Sequence, residues 1–392
     1  MQPVQNFYPP KPQVLGLGLQ LLRYIGLWGD PNRSVRYRLV LIVCYVLAVW
    51  IGPKTVLGPG KEGFDSCVRN VTEVLFLVEN CVALVSFAAK SRSFGQLIDV
   101  LERILKRDWP KDLQDEIESF NRRMEKSSRF YAFYMLFILI VFAVGPLLYT
   151  MGTLIFSNET TDERGNFLLT NEMQFYWLDI RRNIRHYIIF TAFCCPVSCS
   201  SALIITLKGT IFQAIIYYGS KLFDLLSKRI HAMAAIADEE KRRRELREIV
   251  QLHQMTLAYL HYLESTLNII LLNQMLSCLF VWCLMLFYVS SNFGPEAVNV
   301  IVMFVVLVIE MAAYCVNGTI LSGKAAGIAE AMYRYAWYRD PIDMQRTAAS
   351  IILRAQKPTG VTDAKFYFVN VQRLGKTVQA TYSYYLILKD RF

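Results

Sequence analysis

Apolar residues along this chain gather into seven long runs: Tyr37–Leu57, Val68–Ala89, Phe130–Phe156, Tyr187–Tyr218, Leu263–Val289, Glu296–Gly323 and Phe366–Leu388. A helix needs about 20 mostly apolar residues to cross a bilayer, so the pattern predicts seven membrane helices. Apolar positions also recur at helical spacing beyond any bilayer exit. Ile215, Leu222, Leu225 and Leu226 precede the charged stretch Asp238–Glu245, and Leu246, Ile249, Leu252, Leu257 and Leu260 follow it. Such stripes need another helix to cover them, which predicts a bundle built from extensions of the late spans. A shorter patch, Val14–Leu27, is broken by glycines, Gln20 and Arg23, and no small-residue cleavage site follows it. It reads as an amphipathic helix along the inner membrane surface rather than a signal peptide.

The closing run differs from the other six. Read as helical from Lys365 to Leu388, it holds Arg373 and Lys376 near its start, then Thr377, Gln379, Thr381, Tyr382, Ser383, Tyr384 and Tyr385. Polar groups at membrane depth face protein or water. Two readings stay open: a helix lining an aqueous path, or one buried in the bundle.

Composition supports the membrane reading. The 392 residues are 54% hydrophobic and 19% charged, against about a quarter charged in soluble domains. The net charge of +10 need not mean nucleic acid, because Lys and Arg collect in inner connections of membrane proteins. Counted with the span ends that flank them, alternate connections carry 5, 10, 9 and 7 basic residues against 3, 4, 0 and 2. That asymmetry predicts a cytoplasmic N-terminus and an extracellular C-terminus. Asn158-Glu159-Thr160 is a glycosylation sequon in a loop then placed outside, whereas Asn32-Arg33-Ser34 falls inside and should stay bare. Most of the nine cysteines lie in apolar runs and behave as small hydrophobes; a bridge is left open only at Cys67. The chain divides into an N-terminal segment (1–36), four spans (37–207), a helical extension with a charged hairpin (208–262), two spans (263–323), a cytoplasmic anchor (324–365) and the last helix with its tail (366–392).

Enzyme chemistry finds no purchase. His261-Tyr262-Leu263-Glu264 lacks the second histidine of a metalloprotease pair, Gly58-Pro59-Gly60-Lys61 lacks the first glycine of a phosphate loop, and no Gly-x-Ser-x-Gly occurs. His186, His231, His253 and His261 do not cluster with cysteines at zinc spacing. No cofactor or metal is expected. The acids Glu79 and Glu310 inside spans are functional candidates by default; an interhelical hydrogen bond is the simpler reading for Glu79, and Glu310 has no assigned role. The basic run Lys241–Arg244, flanked by acids, reads as a solvated helical face.

Leu353-Arg354-Ala355-Gln356-Lys357-Pro358, then Lys365-Phe366-Tyr367 and Thr381-Tyr382-Ser383-Tyr384, with Trp337-Tyr338 ahead of them, resemble the C-terminal signature of insect odorant receptors. Together with the seven-span, N-inside plan, the resemblance implies an all-α, seven-transmembrane fold in a tetrameric, ligand-gated, non-selective cation channel with a cytoplasmic helical anchor. It implies a co-receptor partner, membrane lipid around the spans, a small apolar volatile as ligand, and the plasma membrane of olfactory sensory neurons. The short hairpin between the fourth and fifth spans resembles the odorant-tuning subunit rather than the co-receptor. By the same resemblance, Val378, Thr381, Tyr385, Leu388 and Lys389 would line the pore, although Tyr385 and Lys389 depart from the family's aliphatic gate. The ligand would sit in the outer half among spans two, three, four and six. There the resemblance selects Val71, Val74 and Leu75; Gly145, Leu148, Tyr149 and Gly152; Tyr187, Phe190 and Cys194; and Val300, Met303, Phe304 and Leu307. Tyr149 and Tyr187 would offer polar handles, Phe190 and Phe304 stacking surfaces, and the glycines space.

Overall fold

The computed structural model describes residues 14–28, 41–58, 63–156, 167–292 and 294–391. Ten helices and one two-stranded hairpin carry the argument: α1 Gly16–Ile25, α2 Leu41–Val56, α3 Phe64–Ala89, α4 Ser91–Leu105, α5 Lys111–Phe156, α6 Ile184–Met233, α7 Glu239–Ser291, α8 Pro295–Arg334, α9 Ile342–Ala355, β1 Thr362–Asp363, β2 Tyr367–Phe368 and α10 Val371–Arg391. Five of them (α3, α5, α6, α7 and α8) are long and apolar enough to cross a membrane.

The long helices set the geometry. α5 has 46 residues and α7 has 53, about 69 and 80 Å at 1.5 Å per residue, more than twice a hydrocarbon core of about 30 Å. Their surplus lies at one end of the bundle, here the extension end. The head of α3 and the segment 167–183 occupy the opposite, loop end. At the extension end the stripes foreseen in the sequence meet: Leu222, Leu225 and Leu226 of α6 and Leu246, Ile249 and Leu252 of α7 are buried. Asp238 caps α7 by accepting from Glu240 N at 3.1 Å, and Arg229 pairs with Glu245 across the hairpin at 2.6 Å. The basic run is not simply a solvated face. Arg242 pairs with Asp340 at 3.1 Å, and Arg243 pairs with Asp343, tying the hairpin to the start of α9.

α1 buries Leu19, Leu22 and Ile25 against the protein's own helices. Gly18 permits this approach: a Cβ there would stand 2.6 Å from Ile211 Cγ1. The amphipathic pattern was legible, and the buried face packs on the bundle.

The closing segment needs a larger correction, because no helix begins at Lys365. Thr362 pairs with Phe368 and Asp363 with Tyr367 in an antiparallel hairpin, and Ala364 and Lys365 turn it with φ of 47° and 68°. Asp363 Oδ1 fixes that turn by accepting from Tyr367 N at 2.7 Å. The helix restarts where Asn370 Oδ1 accepts from Arg373 N at 2.8 Å, a side-chain cap of the usual kind. Val369 O lies against Gly318, where a Cβ would collide with it, so that glycine lets the hairpin seat on α8.

Candidate functional site

An almost wholly apolar cavity of about 70 Å³ lies toward the loop end. Phe76 and Leu77 of α3, Met135, Ile138 and Phe142 of α5, Ile205 of α6, and Val302, Met303 and Val306 of α8 form its walls, with Ser198 and Ser201 on the α6 side. Trp50 also lines it. A π turn at Leu47–Ile51 carries that ring, and its Nε1 donates to Cys194 Sγ at 3.0 Å. Such turns add a residue to the helical repeat and re-aim the side chains that follow.

A lid of buried charge covers one end of the cavity. Leu169, Thr170, Asn171 and Glu172 are all buried, and side chains of α2, α3 and α8 hold their backbone. Arg69 Nη2 donates to Leu169 O at 3.1 Å and Thr170 O at 3.3 Å. Lys54 Nζ donates to Glu172 O at 2.7 Å, and Glu172 N to Glu73 Oε2 at 3.1 Å. Asn299 Nδ2 reaches Thr170 O at 3.5 Å. Glu73 also pairs with Lys54 and with Arg69, the latter at 2.9 Å, while Glu172 pairs with Arg181. Arg69 lies 3.8 Å from Glu172 and 4.0 Å from Glu296. Three cations thus meet three carboxylates, which is what buried charge requires.

Lys54 and Arg69 entered the sequence count as residues of an outer connection; both are buried in this lid. Removing them leaves the asymmetry standing. The visible trace of the lid was Arg69 and Glu73, an i,i+4 ion pair at the head of an apolar run.

The residues selected by resemblance fall mostly around the cavity rather than on it. Met303 lines it. Tyr187, Phe190 and Cys194 are buried just outward, where the loop fills the bundle mouth. Tyr187 OH donates to Leu168 O at 3.1 Å, and the Phe190 ring meets Phe175 edge-on at 5.3 Å. Val300 and Leu307 are buried, Val74 and Leu75 are half-buried, and Phe304 packs edge-on against Trp282 at 6.2 Å. Val71, Leu148 and Tyr149 point away, at 42%, 66% and 48% exposure. A Cβ at Gly145 or Gly152 would meet nothing within 4 Å, so these glycines face away from the packed interior. The four helices foreseen do frame the cavity. Its depth was hidden, because the inward fold of the loop leaves no periodic trace.

Deeper in the bundle, Lys208 is buried between two carboxylates. Its Nζ lies 2.8 Å from Glu79 Oε1 and 3.1 Å from Glu310 Oε1, and Tyr314 OH is within 3.4 Å of Glu310 Oε1 and of Lys208 O. Glu79 Oε2 and Glu310 Oε2 are buried with no hydrogen-bond partner. A second π turn, Lys208–Phe212, aims the lysine inward. Lys208 was assigned to a connection at the helix exit; the structure instead makes it the partner of both acids and supplies Glu310 with a role.

On α10, Thr381 is buried, and Tyr385 and Leu388 pack on the core of their own chain. Val378 is 50% exposed and Lys389 is exposed. The sequon residue Asn158 lies outside the described residues.

The family model described as 7tm Odorant receptor matches residues 64–382. Odorant receptor Or2 of Anopheles gambiae is 26% identical over 148 residues, 37% of this chain and 39% of that receptor. Odorant receptor 10 of Aedes albopictus is 23% identical over 143 residues, 36% and 38% of the two chains. The matched stretch therefore spans about two fifths of these relatives. The insect olfactory receptor OR5 from Machilis hrabei superposes with a TM-score of 0.78 at 15% identity, covering 95% of this chain and 96% of that one. Its complex with eugenol gives 0.77 at 14% identity, covering 96% and 98%. At such identity the likeness shows the fold, and that fold is the seven-helix membrane fold of an insect olfactory receptor. Because the family match runs from the head of α3 into α10, the chain belongs to the 7tm odorant receptor family.

Proposed function

We propose that this chain is the odorant-tuning subunit of a ligand-gated cation channel, and that a small volatile binds in the lidded cavity. Ligand shifts the channel toward its open state by binding that state more tightly. The observation that carries the reading is the cavity itself: recessed, nearly all apolar, and framed by α3, α5, α6 and α8. That is the chemistry small hydrophobic ligands require. The solved eugenol complex of the Machilis hrabei receptor supports ligand binding in this fold.

The chain works with a co-receptor in a tetramer in the plasma membrane of olfactory sensory neurons, its N-terminus inside and C-terminus outside. α10 lines the conducting path. It is polar, and its contacts with its own chain use Leu374, Thr377, Thr381, Tyr385 and Leu388. Val378 and Lys389 lie at the edge of that contact face, within about 40° of Tyr385 at about 100° per residue, and are more exposed than it, so they and the face beyond them are left for ions or neighbouring subunits.

The test is odorant-evoked current in cells expressing this chain with and without a co-receptor. Current with the co-receptor is expected, and silence across a broad panel of volatiles would overturn the reading. Met303→Trp, which fills the cavity, should lower potency at least tenfold, whereas Leu148→Ala should leave dose–response curves in place. A tag after Phe392 reachable only from the cytosol would refute the orientation.

A further inference from the structure

We infer that this cavity selects small neutral molecules carrying one hydrogen-bond acceptor, and that the side-chain amide of Asn171 recognises it; the inference rests on the ligand-binding reading above. Asn171 lines the cavity and is 2% exposed. Its Nδ2 is buried with no hydrogen-bond partner. A buried donor left unpaired is costly, and its natural complement is an acceptor on whatever occupies the space beside it.

The backbone on both sides of Asn171 is pinned, which keeps the residue beside the cavity. Thr170 O accepts from Arg69 and Asn299, while Glu172 offers its N–H to Glu73 and its carbonyl to Lys54. Asn171 is therefore held beside the cavity by a lid in which each cation faces a carboxylate.

The same lid defines what is refused. Glu73 lines the cavity, but its oxygens already accept from Lys54, Arg69 and Glu172 N. Lys54, Arg69 and Arg181 all hold carboxylates. Among the described residues that line or close the cavity, an anionic ligand would find each cation already facing a carboxylate, and an amine would find Glu73 already engaged. Ser198 Oγ is turned to Cys194 O at 3.3 Å, so its proton is engaged by its own helix. What remains is an apolar wall with two uncommitted polar groups, the Asn171 amide and the Ser201 hydroxyl, which suits a ketone, an ester or an ether. Size narrows the class further. About 70 Å³, several times the roughly 10–15 Å³ that one water needs, suits a small skeleton.

The experiment pairs short ketones and esters with hydrocarbons of equal length, applied to cells expressing the full chain and a co-receptor. Wild-type protein should prefer the oxygenated member of each pair. Asn171→Leu, close in volume but without a donor, should weaken oxygenated ligands roughly three- to tenfold, the worth of one hydrogen bond, and leave hydrocarbons unchanged or improved. Asn171→Ser, which keeps a donor, should retain part of the preference. Surface labelling accompanies each variant, and Asn171→Ala carries the comparison if leucine disturbs the lid. Equal losses for both ligand classes, or no loss for the oxygenated one, would overturn the assignment while leaving the cavity as a ligand site. A wild-type protein that answers no volatile would instead sink the ligand-binding reading itself.

Discussion

Helix α6 carries two lysines that make the same arrangement in opposite surroundings. Lys208 is held by Glu79 and Glu310, and Lys221 by Glu116 at 2.5 Å and Asp224 at 3.5 Å. They lie 13 residues apart, about 20 Å along the helix. Around Lys208 every charged side chain is at most 2% exposed, and two carboxylates share one cation. Around Lys221 the carboxylates are 29% and 21% exposed, and Lys228 and Lys324 join the cluster. The difference teaches that coordination alone does not set the worth of an ion pair. A buried charge deprived of its partner has no water to turn to, whereas an exposed one does.

Breaking the deep triad should therefore have the largest effect. Lys208→Met leaves two carboxylates buried together with no cation, and removing one member of a buried pair costs about 3–5 kcal/mol. We expect little or no protein at the cell surface and a sharply lower melting temperature in detergent. Lys208→Met with Glu79→Gln and Glu310→Gln should restore most of the loss, because all three charges leave together. A single variant as stable as wild type would show the triad to be hydrated and erase the contrast. A smaller effect is expected next door. Gly209 sits against the Tyr131 ring, which a Cβ would strike. Gly209→Ala should cost about 1–3 kcal/mol, as overpacking does, by shifting the π turn that aims Lys208.

The two lysines also show how far the sequence could be read. Lys221 lies past the apolar stretch, among residues with helical periodicity, and its place at the extension end was legible. Lys208 looked like the same kind of residue, a basic group at the end of a span. Only the π turn and the partners on α3 and α8 make it a core residue, and neither has a periodic signal. The seven runs and the late-span bundle were legible because burial repeats along a helix. The lid was not, because Leu169–Glu172 is irregular backbone held by side chains about 100 residues away. The hairpin at 362–368 was hidden in a similar way: apolar and aromatic residues continue through it, and only Asp363 and Asn370 mark the break.

The shallow cluster sets the lower bound of the comparison and is tested by pH. Burial acts to raise the Glu116 carboxyl, but hydrogen bonds from Lys221 and Lys228 outweigh it and hold it below the usual carboxylate range. Asp224 is likewise held low, with Lys324 and Lys228 overcoming its partial burial. A carboxylate whose folded pKa is depressed contributes stability above its ordinary pKa, and that stability is lost as pH falls through the lowered value. The contribution should be complete above about pH 4.5 and fade only in stronger acid. Because the groups are partly exposed, solvent and salt screen them. Lys221→Met should cost no more than about 1 kcal/mol, shrink further in 0.5 M salt, and flatten the acid limb of the melting curve. A loss as large as that of Lys208→Met, or one indifferent to salt, would mean that the extension end is as dry as the middle of the bundle.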